Sequence, residues 1–321
     1  MKKLLFFLAL ASFLQASSIL DEYRQNGLDN IEKKLDSALT KPSYWKKLFS
    51  KNDISFGYFE RYNSVLVCNK EKSTLELYRK NKEGNFVLQK RYTAFTGKNR
   101  GEKKSEGDLK TPVGIYNLVQ KLSKVDSFYG PMAFVTSYPN LFDKYQNKNG
   151  HGIWIHGLPI DQKRDAYTKG CIAIDNQGLK CLDKEIDLHK TVLLIYENAT
   201  KQHNDPQEFI RLGTWLYKWR NAWKYNDLQS YLSFYSKEFK KANGSDFTAF
   251  RNYKEAVFRR NKNKKKSILF NELNIIPYPN HPDIYQITFY ERYKSPNYRY
   301  NGYKELLVRK KGSEFEIISE N

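Results

Sequence analysis

The apolar residues of this 321-residue chain change their spacing three times, and that alternation limits what it can fold into. Leu20, Tyr23, Leu28, Ile31, Leu35 and Leu39 recur at helical intervals among charged residues until Pro42 breaks the pattern. From about Ile54 to Tyr196, short runs of strand formers alternate with turn residues. Residues 64–68 and 75–78 read as a hairpin, followed by strands over 86–95, 113–119, 132–137, 152–156 and 191–196. The helical period returns at Asp205-Pro206-Gln207-Glu208, which has an Asp cap, Pro at the first helical position and Glu three residues after the cap. Phe209, Leu212, Leu216, Trp219 and Trp223 carry it on, with the stripe Trp215, Trp219, Trp223 expected in the core. A second helix is expected over Leu228, Tyr231, Leu232, Tyr235 and Phe239. Strands close the chain at 268–275, 284–293, 303–308 and 315–318. The pattern predicts an α+β, multi-domain protein: a helical segment, a mostly-β domain, then helices followed by an antiparallel sheet.

The length allows about two domains at roughly 150 residues each. Hydrophobic residues make up 40% of the chain, with 24 Tyr and 20 Phe, which excludes a disordered polymer. The 55 Lys and Arg against 35 Asp and Glu give a net charge of +20, which favours a polyanionic partner. The N-terminus narrows that class. Lys2 and Lys3 precede an apolar run from Leu4 to Leu14, and small residues follow at Ala16, Ser17 and Ser18. This reads as a cleaved signal peptide over 1–18, with cleavage after Ala16 or Ser18. No later segment approaches a membrane span, so the mature protein is expected in the periplasm without a transmembrane span. Export removes nucleic acid from the expected partners. The remaining boundaries are read as a helical segment over 19–53, a β-rich domain over 54–197 and an α+β domain over 198–321. The first is too short to bury its own stripe and must pack on the main domain or on a second copy, as a homodimer.

Cys68, Cys171 and Cys181 include no C-x-x-C pair, and an odd number leaves at least one thiol unpaired within the chain. Cys68 and Cys181 are either a disulfide or two buried free thiols. The histidines lack metal-ligand spacing, so no metal or other cofactor is expected. His156 lies 15 residues before Cys171. A Cys with a nearby His is a candidate nucleophile with its base, because a free thiol with pKa about 8.5 is mostly protonated at neutral pH and needs an imidazole to hold it as thiolate; spacing alone does not single this pair out. Gly170 allows a tight turn that would aim consecutive N–H groups at an oxyanion. Trp154 shares a strand face with His156 and either walls a groove or packs in the core. Met132 lies in a loop that could cover the site, and His151 has the opposite strand parity and reads as structural. Residues 259–266 hold six basic side chains in eight, either a solvated loop or a contact for carboxylates or anionic headgroups.

His156-Gly157 followed by Thr168-Lys169-Gly170-Cys171-Ile172 resembles the signature of the L,D-transpeptidase (YkuD-type) catalytic domain. Gly107-Asp108-Leu109-Lys110-Thr111-Pro112-Val113-Gly114-Ile115-Tyr116 is similar to a second segment of that family, and Thr96-Gly97 to its strand-ending T-G. The resemblance covers about residues 55 to 197. It implies Cys171 as nucleophile, His156 as base, the Gly157 carbonyl as orienter of the imidazole, and the N–H groups of Gly170 and Cys171 as oxyanion donors. Trp154, Met132 and Thr168 are expected to contact substrate. The implied substrate is a peptidoglycan stem tetrapeptide, cut before its terminal D-Ala through a thioester. The family usually has Arg two residues after the cysteine, where this chain has Ala173. With its α+β tail, the Arg-less form resembles the cell-shape L,D-carboxypeptidases of curved and helical Gram-negative bacteria, which use water as acceptor. The C-terminal pattern resembles NTF2-like domains, whose cone often holds a pocket for a ligand, here of unknown class. L,D-transpeptidation, or a non-catalytic scaffold that binds the wall, are the alternative readings.

Overall fold

The computed structural model describes residues 2–161, 165–198 and 204–321, with side chains from Ile19 onward. The segment read as a signal peptide has no described side chains, and most of the polar stretch expected to link the last two domains, 199–203, lies outside the described residues. Seven α-helices and fourteen strands are described. The N-terminal pair is α1 (Lys2–Leu39) and α2 (Pro42–Phe49). The central strands are β1 (Tyr58–Phe59), β2 (Ser64–Asn69), β3 (Thr74–Lys80), β4 (Phe86–Thr93), β5 (Gly114–Leu122), β6 (Ala133–Thr136), β7 (Trp154–His156), β8 (Ile172–Ala173) and β9 (Thr191–Tyr196). Helix α3 (Leu141–Tyr145) precedes β7, and α4 (Asn176–Glu185) follows β8. The C-terminal part holds α5 (Pro206–Lys224), α6 (Leu228–Ser233), β10 (Tyr235–Lys241), α7 (Phe247–Arg260), β11 (Ser267–Tyr278), β12 (His281–Ser295), β13 (Tyr298–Lys311) and β14 (Glu314–Glu320).

The central strands form one eight-stranded sheet in the order β4-β3-β2-β9-β5-β6-β7-β8. The expected hairpin pairs Ser64 with Arg79 through Asn69 with Thr74. Parallel pairing occurs at β2–β9 and at β7–β8; the rest of this sheet is antiparallel. The C-terminal sheet has six strands, β1-β11-β12-β13-β14-β10, and four of them answer the sequence expectation. The fifth is β10, which corrects the second expected helix: α6 ends at Ser233, and Tyr235 and Phe239 lie on a strand parallel to β14. The sixth is β1, which leaves the central part of the chain to pair with β11. Helix α7 was not expected from the sequence.

Residues from both parts share one apolar cluster: Phe59, Tyr62, Val65 and Leu194 pack with Ile276, Tyr278, Leu307 and Ile318. Tyr278 of β11 reaches the central part, where its hydroxyl accepts from Asn140 Nδ2 at 2.8 Å and its ring lies 4.5 Å from Phe142 of α3. The N-terminal segment packs on the C-terminal part of the same chain. Pro42 opens α2 as its first residue, which carries Trp45 into the core against α5. Asp36 of α1 is buried against Arg220 at 2.9 Å, Lys224, and Tyr225 at 2.6 Å. Leu20, Tyr23, Leu28 and Leu35 remain exposed. Trp219 is buried, whereas Trp215 and Trp223 are only partly so. Two lysines of the basic run are used internally. Lys265 pairs with Asp29 and Glu32 of α1, and buried Lys266 donates to Trp223 O at 2.6 Å and Asn226 Oδ1 at 2.8 Å. No helix among the described residues is long and apolar enough to cross a membrane.

Candidate active site

Cys171 immediately precedes β8, which runs parallel to β7 with Ile155 opposite Ile172 and His156 opposite Ala173. This register sets Cys171 beside Trp154, whose backbone N–H points at Sγ from 3.4 Å. The thiol donates to the Gly152 carbonyl at 3.4 Å. Trp154 and His156 lie two apart on β7 and share a face, as alternation requires. Tyr129, from a short 3-10 turn over Ser127–Tyr129, places its ring edge-on to His156 at 5.0 Å and lies 5.2 Å from the Trp154 ring. His156 is buried, and its Nδ1 lies 2.7 Å from the Gly157 carbonyl oxygen. That contact uses Nδ1 as the donor and turns Nε2 to the other side of the ring.

The loop before Cys171 is held by one hydroxyl. Thr168 is 2% exposed; its Oγ1 donates to Cys171 O at 2.7 Å and accepts from Gly170 N at 3.0 Å. The Gly170 N–H, expected to face an oxyanion, is therefore engaged within the loop, and Thr168 turns its hydroxyl inward. Gly170 has φ +139°, and a Cβ there would lie 2.9 Å from Lys110 O, so the turn excludes larger residues. Met132 is half-buried and packs on the central core. Trp154 is half-buried beside Tyr129.

The second motif lies beside this loop. Thr111 Oγ1 accepts from Gly97 N at 2.8 Å and lies 3.5 Å from Cys171 O. Gly97 bridges to Thr168, and Phe95 to Ala173. Asp108 shapes the motif by accepting from Lys104 N at 2.8 Å, Lys110 N at 3.0 Å, Ser105 N at 3.2 Å and Lys103 Nζ at 2.7 Å. Burial opposes ionisation of its carboxyl, but these donors outweigh it and hold the pKa down at about 2.

Two further residues, Tyr129 and Asn176, were not singled out from the sequence, and Thr111 was quoted only as part of its motif. Asn176, first residue of α4, accepts from Leu158 N at 2.9 Å and donates to Leu158 O at 3.0 Å. A signal was present, because Asp175 is a sequence-visible helix cap three residues before Gly178, whose N–H it accepts at 2.7 Å. Among the described residues, Cys68, Cys171 and Cys181 form no disulfide. Cys68 is fully buried in β2, and that burial pushes its thiol up to about 12, which makes it inert.

The L,D-transpeptidase catalytic domain model matches residues 63–194, and the model of the Cds6 C-terminal NTF2-like domain matches residues 211–321. The chain is also similar over most of its length to a solved structure, the helical cell shape determining protein Pgp2 from Campylobacter jejuni. The two are 36% identical with a TM-score of 0.79, over 88% of this chain and 99% of that one. The chain belongs to the L,D-transpeptidase family. Within this family it has the form with an NTF2-like C-terminal domain. Bd1075 of Bdellovibrio bacteriovorus is 28% identical with a TM-score of 0.66, over 83% of this chain and 95% of that one. A curated relative, "Putative L,D-transpeptidase YafK" of Escherichia coli (strain K12), is 33% identical over 110 residues. That match spans 34% of this chain and 42% of the relative, so the chain covers less than half the length of the curated relatives it matches.

Proposed function

We infer that this chain is a peptidoglycan L,D-carboxypeptidase that removes the terminal D-Ala from stem tetrapeptides. The observation that carries the reading is the register that pairs β7, which ends in His156, with β8, which begins just after Cys171, with His156 Nδ1 held at Gly157 O. His156 Nε2 takes the proton of the Cys171 thiol, and the thiolate attacks the carbonyl carbon of the third stem residue. Its oxyanion is stabilised by the Cys171 N–H, and by the Gly170 N–H once that group exchanges Thr168 for the substrate. Collapse breaks the peptide bond, His156 Nε2 protonates the departing D-Ala amine, and a thioester remains. Water then gives its proton to His156 and attacks the thioester, which releases the tripeptide and the thiol. Orientation, base and oxyanion donors each act on the transition state.

Ala173 favours water as acceptor. It is fully buried opposite His156 and places no guanidinium beside the site where the family usually has Arg. The similarity to a helical cell shape determining protein supports trimming that affects cell shape. The name of the YafK relative favours the second reading, L,D-transpeptidation. The enzyme would act in the periplasm after removal of residues 1–18, with the boundaries read above. Its NTF2-like domain would hold it on the wall, and the cavity of about 670 Å³ lined by Trp223, Lys254, Glu291 and Lys304 would take a ligand. The exposed apolar residues of α1 would serve a homodimer.

The test is incubation of the mature protein and its Cys171→Ala variant with disaccharide tetrapeptide, with products separated by chromatography and mass. Loss of D-Ala by wild type alone supports the carboxypeptidase. Dimers linked between third-position residues establish the transpeptidase instead. Absence of turnover with binding intact overturns both in favour of a wall-binding scaffold.

A further inference from the structure

We propose that Asn176 is a positioning residue for the catalytic base, acting through a single peptide plane. Gly157 C=O and Leu158 N–H belong to the same planar, rigid unit. Its oxygen lies 2.7 Å from His156 Nδ1, and its N–H donates to Asn176 Oδ1 at 2.9 Å. Whatever fixes one end of that plane fixes the other. Asn176 Nδ2 also donates to Leu158 O at 3.0 Å, so the amide grips the strand end by both of its groups and cannot swivel.

The surroundings leave the plane little freedom. A Cβ on Gly157 would overlap Asn176 Oδ1 and come within 2.9 Å of Pro131 Cδ and 3.1 Å of Gly130 Cα. The need for glycine at 157 therefore follows from the close seating of Asn176 and the 130–131 turn. Gly157 N donates to Tyr129 O at 2.9 Å, so the residue is pinned from the side that places the Tyr129 ring on His156. Acceptance of the Leu158 N–H by Asn176 also polarises the peptide, makes Gly157 O a stronger acceptor and favours the imidazolium. The helix itself has no use for an Asn at its first position, because its N-terminus is already capped by Asp175.

The inference rests on the Cys171–His156 reading, and the test separates the two. In a Cys181→Ser background, with Cys68 buried, iodoacetamide alkylation reports Cys171 across about pH 5 to 9. It is measured beside kcat/KM for D-Ala release. For Asn176→Ala we expect kcat/KM to fall roughly tenfold or more, since small misplacements of a catalytic group are costly. The alkaline limb of the kcat/KM profile should also move down by about one pH unit, as the imidazolium loses its support, while the rise of alkylation with pH moves up, because the thiolate loses part of its counter-charge. Asn176→Asp keeps the acceptor for Leu158 N–H and should return that limb to the parent position or beyond it. Asp175→Ala weakens the cap of the same helix without touching the plane and should leave the limb in place. A superimposable profile for Asn176→Ala, or an equal shift in Asp175→Ala, overturns the proposal while the Cys–His pair stands. If His156→Ala leaves Cys171 alkylation at neutral pH unchanged, the pair itself is wrong and this inference falls with it.

Discussion

Replacing Thr168 by Val keeps the shape of the side chain and removes the one hydroxyl that holds the nucleophile loop. That hydroxyl serves two backbone groups, Cys171 O at 2.7 Å and Gly170 N at 3.0 Å, in buried surroundings. A buried polar group left without a partner costs about 1–3 kcal/mol, so two cost about 2–6 kcal/mol if the loop keeps its shape. Thr111 Oγ1, 3.5 Å from Cys171 O, is too distant to take over at full strength. The loop can avoid part of that loss only by shifting, and then Cys171 moves with it. A displacement on the order of 1 Å lowers the rate by roughly 100-fold. The cost must therefore emerge as lost stability, lost activity or a division between them. Thr168→Ser retains both bonds and loses one methyl group, worth about 1 kcal/mol. The assay is thermal unfolding and D-Ala release for the parent, Ser and Val forms. We expect the Ser form close to the parent and the Val form clearly below it in at least one measurement. A Val form equal to the Ser form in both would refute the assignment of Thr168 as the clamp.

Asp36→Ala removes the carboxylate from buried Arg220 and leaves Lys224 with Glu32 alone, and should cost about 3–5 kcal/mol, read as a lower Tm and faster proteolysis within α1. Glu102 has its pKa lowered to about 2; burial opposes ionisation, but hydrogen bonds from His281 and Lys148 outweigh it. The folded state therefore favours the charged form, and the stability it adds is complete above the ordinary value of 4.5 and lost as pH falls from there to about 2. Tm measured against pH should drop through that window, and Glu102→Gln should flatten the drop. Cys68, its thiol pushed up to about 12 by burial, should resist alkylation in the folded protein at neutral pH and react once unfolded. Titration in denaturant should count three thiols, and a count of one would restore the Cys68–Cys181 disulfide.

The proposed catalytic segment was legible because it resembles the L,D-transpeptidase signature, whose features are local. A strand that ends His156-Gly157 and a glycine turn into Cys171 each impose their geometry within a few residues. Seven of the eight strands of the central sheet were legible, since alternation and turn residues mark each one separately, whereas the two-residue β8 has too short a run to show alternation. The misread element shows where this stops. Tyr231, Tyr235 and Phe239 are spaced four apart and satisfy a helix, yet the chain breaks after Ser233, and Tyr235 and Phe239 pack from a strand. What decides between the two is β14, the parallel partner of β10 and about 80 residues away, and no local period carries that information. Helix α7 was hidden by its charges: it buries only Phe250 and Phe258, and the basic residues that overlap its end drew the eye to a loop. Asn176 was missed for a third reason, because its role lies in one peptide plane 18 residues earlier. The proposed nucleophile and base could thus be named from the sequence motif, whereas the groups that would orient them depend on contacts only the folded chain makes.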